Sequence, residues 1–277
     1  MSNIMSGKEL ASQIEEEVKN LAKGCIIRPS VALINIGNNS ISERFIKEKE
    51  EACNRVGIYF RYHQFEEDTP ELTIINKIKE LNNDDYVNGI VINLPIPDRY
   101  NEKRLLNTVI NSKDIDGLTD INIGRLIGGR KSITSCTAQG IIELLKKYEV
   151  EIESKNIVII GNGRLVGKPL TNMLLNEGAT VTVCHSRTED IKKHTLNADI
   201  VISATGIKHL ITEDMIKEGT VVIDTGCIVE DGKVYGNVDF DRVSKKASLI
   251  TPQVGGIGPV TIAMFLRNVI LCYNNKK

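Results

Sequence analysis

The 277-residue chain reads as a two-domain α/β protein. Three observations lead there. Helical and extended segments alternate through residues 7–93; a glycine turn joins a strand to a helix at 157–167; and a second alternating series runs on from that turn. Alternation of this kind argues for parallel sheets covered by helices, and the glycine turn makes the second domain Rossmann-type. The resulting picture is two lobes with a cleft between them, the usual place for ligands to meet in such proteins.

In the first lobe, acids and lysines on a helical period predict a helix from Gly7 to Lys23. The β-branched run Ser30 to Ile36 predicts a strand, Ile41 to Val56 a helix, and Ile58 to Phe65 a strand. Pro70 to Leu81 follows as a helix and Gly89 to Asn93 as a strand. Asn111 to Thr137 is less regular, holds several glycines and is expected to join the lobes. The domains are therefore placed at 1–137 and 138–259. An apolar helix from about Val260 to Tyr273 begins the segment 260–277, which is expected to pack back on the first domain.

The second series opens with a helix at Ala138 to Tyr148. Ile157 to Ile160 is short, apolar and β-branched, as a strand buried on both faces should be. Gly161-Asn162-Gly163-Arg164-Leu165-Val166-Gly167 follows at once, a GxGxxxG spacing one residue longer than the usual fingerprint. Its glycines let a diphosphate approach the main chain, and the next helix offers that diphosphate its N-terminal N–H groups. The alternative is a plain strand-to-helix connection. Strands are expected at Thr180 to Cys184, Asp199 to Ala204 and Thr220 to Asp224.

The end of the strand Thr180 to Cys184 is where such a site reads the adenosine ribose. His185, Ser186, Arg187 and Thr188 stand there with no carboxylate among them. A serine and an arginine suit a 2′-phosphate, which favours NADP over NAD, whereas a solvated polar loop is the bland alternative.

With 35 basic and 36 acidic residues and a net charge of −1, composition recommends neither nucleic acid nor an anionic membrane as the main partner. The absence of tryptophan leaves little for a base-stacking platform. Six cysteines are scattered without a CxxC pair or metal-ligand spacing, so they read as reduced thiols and no metal is expected. The N-terminus lacks the apolar core of a signal peptide, and no apolar run is expected to be long enough to span a bilayer, which places the protein in the cytoplasm.

Ser42, Phe45 and Lys49 are spaced i, i+3, i+7 and share one helix face. A lysine on a cleft wall can exchange protons with a reacting group, although this one lies in the charged run Lys47 to Glu51 and can equally be solvated. Gly89 to Pro97, GIVINLPIP, ends its strand in the amide of Asn93, and Ser112 to Leu118, SKDIDGL, offers two carboxylates beside a glycine.

These clusters occur in order with Val166-Gly167 and Pro169, VTVCHSRT at 181–188, VIDTG at 222–226 and TPQVGGIGPVT at 251–261. Along nearly its whole length the chain resembles the bifunctional methylenetetrahydrofolate dehydrogenase/methenyltetrahydrofolate cyclohydrolase family. The resemblance implies NADP-dependent oxidation of 5,10-methylenetetrahydrofolate to the 5,10-methenyl form and hydrolysis of that to 10-formyltetrahydrofolate. The setting it implies is one-carbon metabolism and purine biosynthesis, in a homodimer. It assigns catalysis to Lys49, Asn93 and Asp116, with Lys49 as the proton-transfer group and Asp116 binding the pterin. Phe45, Gly255, Gly256 and Pro259 join Lys49 and Asp116 in folate binding. Gly161, Asn162, Gly163, Arg164, Val166, Gly167, His185, Ser186, Arg187, Thr205, Gly226 and Ile228 fall to the cofactor.

The chain departs from the family pattern at several matching positions. Phe45 replaces a tyrosine, keeping a stacking face without the hydroxyl, and Asn93 replaces a glutamine one methylene longer. Asn162-Gly163 replaces an Arg-Ser pair and removes a cation; Gly236-Asn237-Val238 replaces Gly-Asp-Val; Pro252-Gln253-Val254-Gly255-Gly256 replaces Pro-Val-Pro-Gly-Gly. Three alternatives stay open at this point: a dehydrogenase only, with the hydrolase lost and either NADP or NAD preferred; a noncatalytic paralogue that binds folate or a partner chain; and a Rossmann dehydrogenase for an unrelated small substrate.

Overall fold

The computed structural model describes residues 3–37 and 40–275, without the side chains of Ser40, Ile41 and Ser42. Ser42, placed beside Phe45 and Lys49 in the sequence, therefore lies outside the described side chains. The chain forms two compact units, Met1–Ala11 with Thr137–Thr261 and Ser12–Cys136 with Ile262–Lys277. The three boundaries fall in helices: within α1 (Lys8–Lys23), at the first residue of the helix Cys136–Lys147, and within the last helix.

The unit built on Ser12–Cys136 holds β1 (Ser30–Ile36), α2 (Ser40–Val56), β2 (Tyr59–Phe65), α3 (Glu71–Asn83), β3 (Gly89–Ile92), α4 (Glu102–Thr108) and α5 (Asp120–Ile127). Its parallel sheet has the order β2-β1-β3. β1 is buried at every position, as the central strand of a covered sheet must be. One face carries Ala32, Ile34, Ile36, Ile90 and Ile92, which close on Ile74, Ile75, Ile78 and Leu81 of α3 and on Leu105 and Leu106 of α4. The chain leaves β1 for β2 on one side and reaches β3 on the other, so the strand order reverses at the C-terminal end of β1, where open α/β sheets place their ligands.

The segment expected to be irregular, 111–137, contains α5. Thr119 caps it by accepting from Asn122 N. Its eight residues include one glycine, and only Asn122 of them is buried, so its apolar signal is weak.

The unit built on Thr137–Thr261 holds α6 (Cys136–Lys147), β4 (Asn156–Ile160), α7 (Gly167–Asn176), β5 (Thr180–Cys184), α8 (Ile191–Thr195), β6 (Ile200–Ser203) and β7 (Val221–Asp224). A hairpin of β8 (Ile228–Glu230) and β9 (Lys233–Tyr235), then α9 (Phe240–Val243) and β10 (Leu249–Ile250), complete it. The parallel sheet runs β10-β7-β6-β4-β5, so the order reverses beside β4 and its glycine turn. Residues before α1 dock here: Met5 N donates to Ile250 O at 2.7 Å and Gly7 N to Gly255 O at 2.9 Å.

The last helix, α10 (Ile257–Asn274), starts three residues earlier than the glycine- and proline-rich sequence suggested, because Pro259 in its first turn has no intrahelical N–H partner to lose. By length and composition it is apolar enough to cross a membrane, which corrects the expectation that no run is. It is instead largely a core helix, with Val260, Ala263, Met264, Phe265, Leu266, Val269, Ile270 and Cys272 buried and the polar Asn268 buried among them.

Candidate active site

Lys49 lies midway along α2, half-buried, with Nζ 5.3 Å from the centre of the Phe265 ring. That ring is buried on α10, so the ammonium is held over an aromatic face. Phe45, one turn earlier on α2, is half-buried.

The KDIDG segment divides its labour in a way that spacing alone did not reveal. Lys113, only 2 % exposed, donates from Nζ to Leu81 O, Asn82 O and Asp84 O at 2.9, 2.7 and 2.8 Å. It thereby satisfies the carbonyls at the C-terminal end of α3, where a cation also suits the helix dipole. Asp114 accepts from Leu118 N, Thr119 N and Asn122 Nδ2 and so builds the turn into α5. Asp116 is the carboxylate left for other work. Gly117 follows it with φ +62, and a Cβ there would run into Ile133 O, so only glycine turns the chain away behind Asp116.

Asp116 itself is half-buried. Burial raises its pKa above the usual carboxylate range; the Lys49 ammonium acts against that rise and Asp114 adds to it. Cys136 Sγ lies 3.4 Å from Asp116 Oδ1 as a thiol donor, and burial, then Asp116, hold that thiol well above its ordinary pKa. Asn268 of α10 locks the group: its Nδ2 donates to Ile115 O at 2.9 Å, Thr134 O at 3.1 Å and Cys136 Sγ at 3.4 Å. Cys136 and Asn268 were not singled out in the sequence. The available signal for Asn268 was an amide inside a predominantly apolar helix.

Asn93 follows β3 directly, and its N–H donates to Ile34 O at 2.8 Å. Ile90 of β3 pairs with Asp114 in an isolated parallel bridge, which ties the KDIDG segment to this strand. The side chain of Asn93 is buried and donates from Nδ2 to Asn35 Oδ1 at 3.0 Å.

The residues expected at a dinucleotide gather at the C-terminal ends of β4, β5, β6 and β7. Gly161 has φ +108, and a Cβ on it would run into Ala204 O, so β4 turns where β6 ends and only a glycine fits. Gly167 packs against the same turn, its missing Cβ leaving room for Gly161 O. Asn162 and Gly163 are exposed, and nothing lies within 4 Å of a Cβ on Gly163. Arg164 and Val166 are half-buried in the turn that leads to α7. After β5, His185 N donates to Thr188 Oγ1 and Arg187 N to His185 Nδ1, a tight turn that leaves Ser186 and Arg187 exposed.

Thr205 follows β6, its Cγ2 3.5 Å from the position of a Gly161 Cβ. Gly226 follows β7, its N–H bonded to Asp224 Oδ1, which also accepts from Asn237 N while Oδ2 accepts from Val238 N. Burial pushes the Asp224 carboxyl up in pKa and those three N–H groups oppose the push. Asn237, fully buried, has neither amide atom paired among the described residues. Ile228 opens β8, half-buried. Gly255 has φ +82, and Gly256 is buried with its carbonyl where a Gly7 Cβ would be, so the close approach that these glycines permit is of the chain's own first helix. Pro259 is half-buried in the first turn of α10.

A Rossmann-type sheet with a glycine turn at its switch point, and a separate α/β unit bearing a half-buried carboxylate and a lysine, define a dinucleotide-dependent class of α/β protein. The chain belongs to the tetrahydrofolate dehydrogenase/cyclohydrolase family: residues 5–116 match its catalytic domain and residues 135–277 its NAD(P)-binding domain. It is 43 % identical over 275 residues to the bifunctional protein FolD of Methanosarcina barkeri, covering 98 % of this chain and 96 % of that one. The crystal structure of the bifunctional FolD enzyme, methylenetetrahydrofolate dehydrogenase/cyclohydrolase, from Campylobacter jejuni superposes with a TM-score of 0.96 at 42 % identity, covering 99 % of both chains. The FolD enzyme of Trypanosoma brucei, solved with NADP cofactor and an inhibitor, gives 0.94 at 32 % identity, over 99 % of this chain and 97 % of that one.

Proposed function

We propose that the chain oxidises 5,10-methylenetetrahydrofolate to 5,10-methenyltetrahydrofolate with NADP and hydrolyses the product to 10-formyltetrahydrofolate, as a cytoplasmic enzyme of one-carbon metabolism supplying formyl groups to purine biosynthesis. The observation that carries this reading is the half-buried Asp116 carboxylate, held by the Cys136 thiol and under the influence of the Lys49 ammonium, in the unit that matches the family's catalytic domain.

Asp116 accepts hydrogen bonds from the amine and amide nitrogens of the pterin ring. A carboxylate partly shielded from water is held more strongly by such donors than a solvated one. Phe45 offers the ring a face to stack on. Lys49 receives a proton from the attacking water and returns one to the opening ring, with the carbonyl of Asn93 accepting from its ammonium, directly or through a water. Gly255, Gly256 and Pro259 flank the folate.

The glycine turn suits a diphosphate because Gly163 opens on free space and Gly161 and Gly167 are packed where any side chain would close the turn. Asn162, Arg164 and Val166 border it, while Thr205, Gly226 and Ile228 line the nicotinamide side. When bound, NADP supplies the hydride acceptor. With no acid at 185–188, Ser186 and Arg187 face the 2′-phosphate and His185 shapes their turn, which supports NADP over NAD; NADP in the similar Trypanosoma brucei enzyme supports it further. β2 is an edge strand with Tyr59 and Tyr62 about half exposed, which supports pairing with a second copy in a homodimer. The six free cysteines agree with a reducing compartment.

Lys49→Met tests the reading by separating the two activities. Methenyl hydrolysis should fall by roughly two to four orders of magnitude while hydride transfer persists within a few-fold. Unchanged hydrolysis would remove Lys49 from the chemistry.

A further inference from the structure

Asn35, Gln64 and Asn93 form a row of amides across all three strands of the first sheet. Asn35 pairs in register with Gln64 of β2, and β3, whose Ile92 pairs with Ile34, places Asn93 on the other side. The row is hydrogen-bonded throughout: Asn93 Nδ2 donates to Asn35 Oδ1 at 3.0 Å, and Asn35 Nδ2 donates to Gln64 Oε1 at 2.9 Å.

Its direction is set at one end by groups that can only accept. Gln64 Nε2 donates to Gly37 O and Phe65 O, both at 3.0 Å, and Asn35 Nδ2 donates to Gly37 O at 3.0 Å. Reversing either amide would set a carbonyl oxygen against the Gly37 carbonyl. The hydroxyl of Tyr62 donates to Gln64 Oε1 and reinforces the same direction. Asn35 therefore offers Asn93 an oxygen and nothing else. Asn93 must answer with its NH2, which turns its own carbonyl oxygen away from the row. Asn35 is 4 % exposed and Asn93 7 %, so solvent does not compete freely for these bonds.

We propose that Asn35, backed by Gln64, is a positioning residue for the hydrolysis step: it fixes Asn93 as a hydrogen-bond acceptor toward the proton-transfer group. The inference rests on the function proposed above. A glutamine at position 93 would reach further by one methylene. The shorter Asn93 is anchored from behind, so its acceptor is held at one place and in one sense. Without Asn35 the amide is free to rotate by half a turn and present N–H groups to the Lys49 ammonium, which a proton-transfer site cannot use.

The test compares Asn35→Leu and Asn35→Asp in the full-length protein. Leucine fills the space and offers Asn93 no oxygen. Aspartic acid, buried among acceptors and so carried as the neutral acid, still offers an oxygen to Asn93 and a proton to Gly37 O. Both disturb the strand, so thermal stability falls in both. With Asn35→Leu, kcat for methenyl hydrolysis should fall roughly tenfold or more, with KM for methenyltetrahydrofolate and the hydride-transfer rate within about twofold; Asn35→Asp should recover most of that kcat. Parallel loss of both activities in the two variants, following their stability, would reduce Asn35 to a structural role and overturn the inference. Unchanged hydrolysis in Asn35→Leu would also overturn it. A wild-type protein that oxidises the methylene substrate but never hydrolyses the methenyl product would instead overturn the hydrolase half of the proposed function, and this inference with it.

Discussion

Replacing Asp116 with asparagine should make the protein a worse enzyme and a more stable one. The carboxyl is half-buried, and desolvation raises its pKa further than Lys49 restores it. A carboxylate whose folded pKa lies above its unfolded value favours folding while both states hold the proton, and that contribution is lost as pH rises through the folded value. The substituted amide never ionises and keeps an oxygen for the Cys136 thiol. The stability gap between variant and wild type should therefore be small at pH 3 and open in favour of the variant as the medium passes through and above the raised carboxylate range. Activity moves the other way. Two hydrogen bonds from pterin nitrogens to a charged acceptor are worth about 1.5–3 kcal/mol each against about 0.5–1.5 for a neutral one, so the variant loses about 2–3 kcal/mol of binding. That is roughly a hundredfold in kcat/KM. Urea unfolding at pH 3 to 8, with initial rates at saturating NADP, reads both effects. A variant less stable than wild type at pH 8 with an unchanged m-value would refute the electrostatic argument, and a loss of kcat/KM below about threefold would refute the assignment of Asp116 to the pterin.

Gly161→Ala should be tolerated poorly, because its Cβ would collide with Ala204 O on a backbone at φ +108; calorimetric titration should show NADP affinity lowered roughly tenfold or more as the turn shifts. Lys113→Met removes three bonds from an ammonium to the end of α3 and should cost about 3 kcal/mol, read as a lower urea midpoint, although Lys113 touches no proposed ligand.

Much of the fold was legible because its main strands are short runs rich in β-branched residues. Ser30 to Ile36 and Thr180 to Cys184 were bounded correctly from composition alone. Elements that depend on tertiary support were missed. α5 buries only Asn122, and α10 hides its first turn in glycines and a proline. The β8–β9 hairpin has its sequence signal in Asp231-Gly232, whose φ of 50 and 73 are the conformation that a tight two-residue turn requires. At the site, the KDIDG spacing displayed two equivalent carboxylates, and only hydrogen-bond partners distinguish the structural Asp114 from Asp116. Asn35 sits in a strand otherwise apolar from Val31 to Ile36, and a buried amide there is explained only by the neighbouring strands that satisfy it.

The most direct test of the proposed function follows methenyl absorbance while the purified protein oxidises methylenetetrahydrofolate with NADP or with NAD, and then after the dinucleotide is withdrawn. Faster formation with NADP, followed by decay that the protein accelerates, is the predicted result. No formation with either dinucleotide, or formation with NAD alone and decay at the uncatalysed rate, would contradict it.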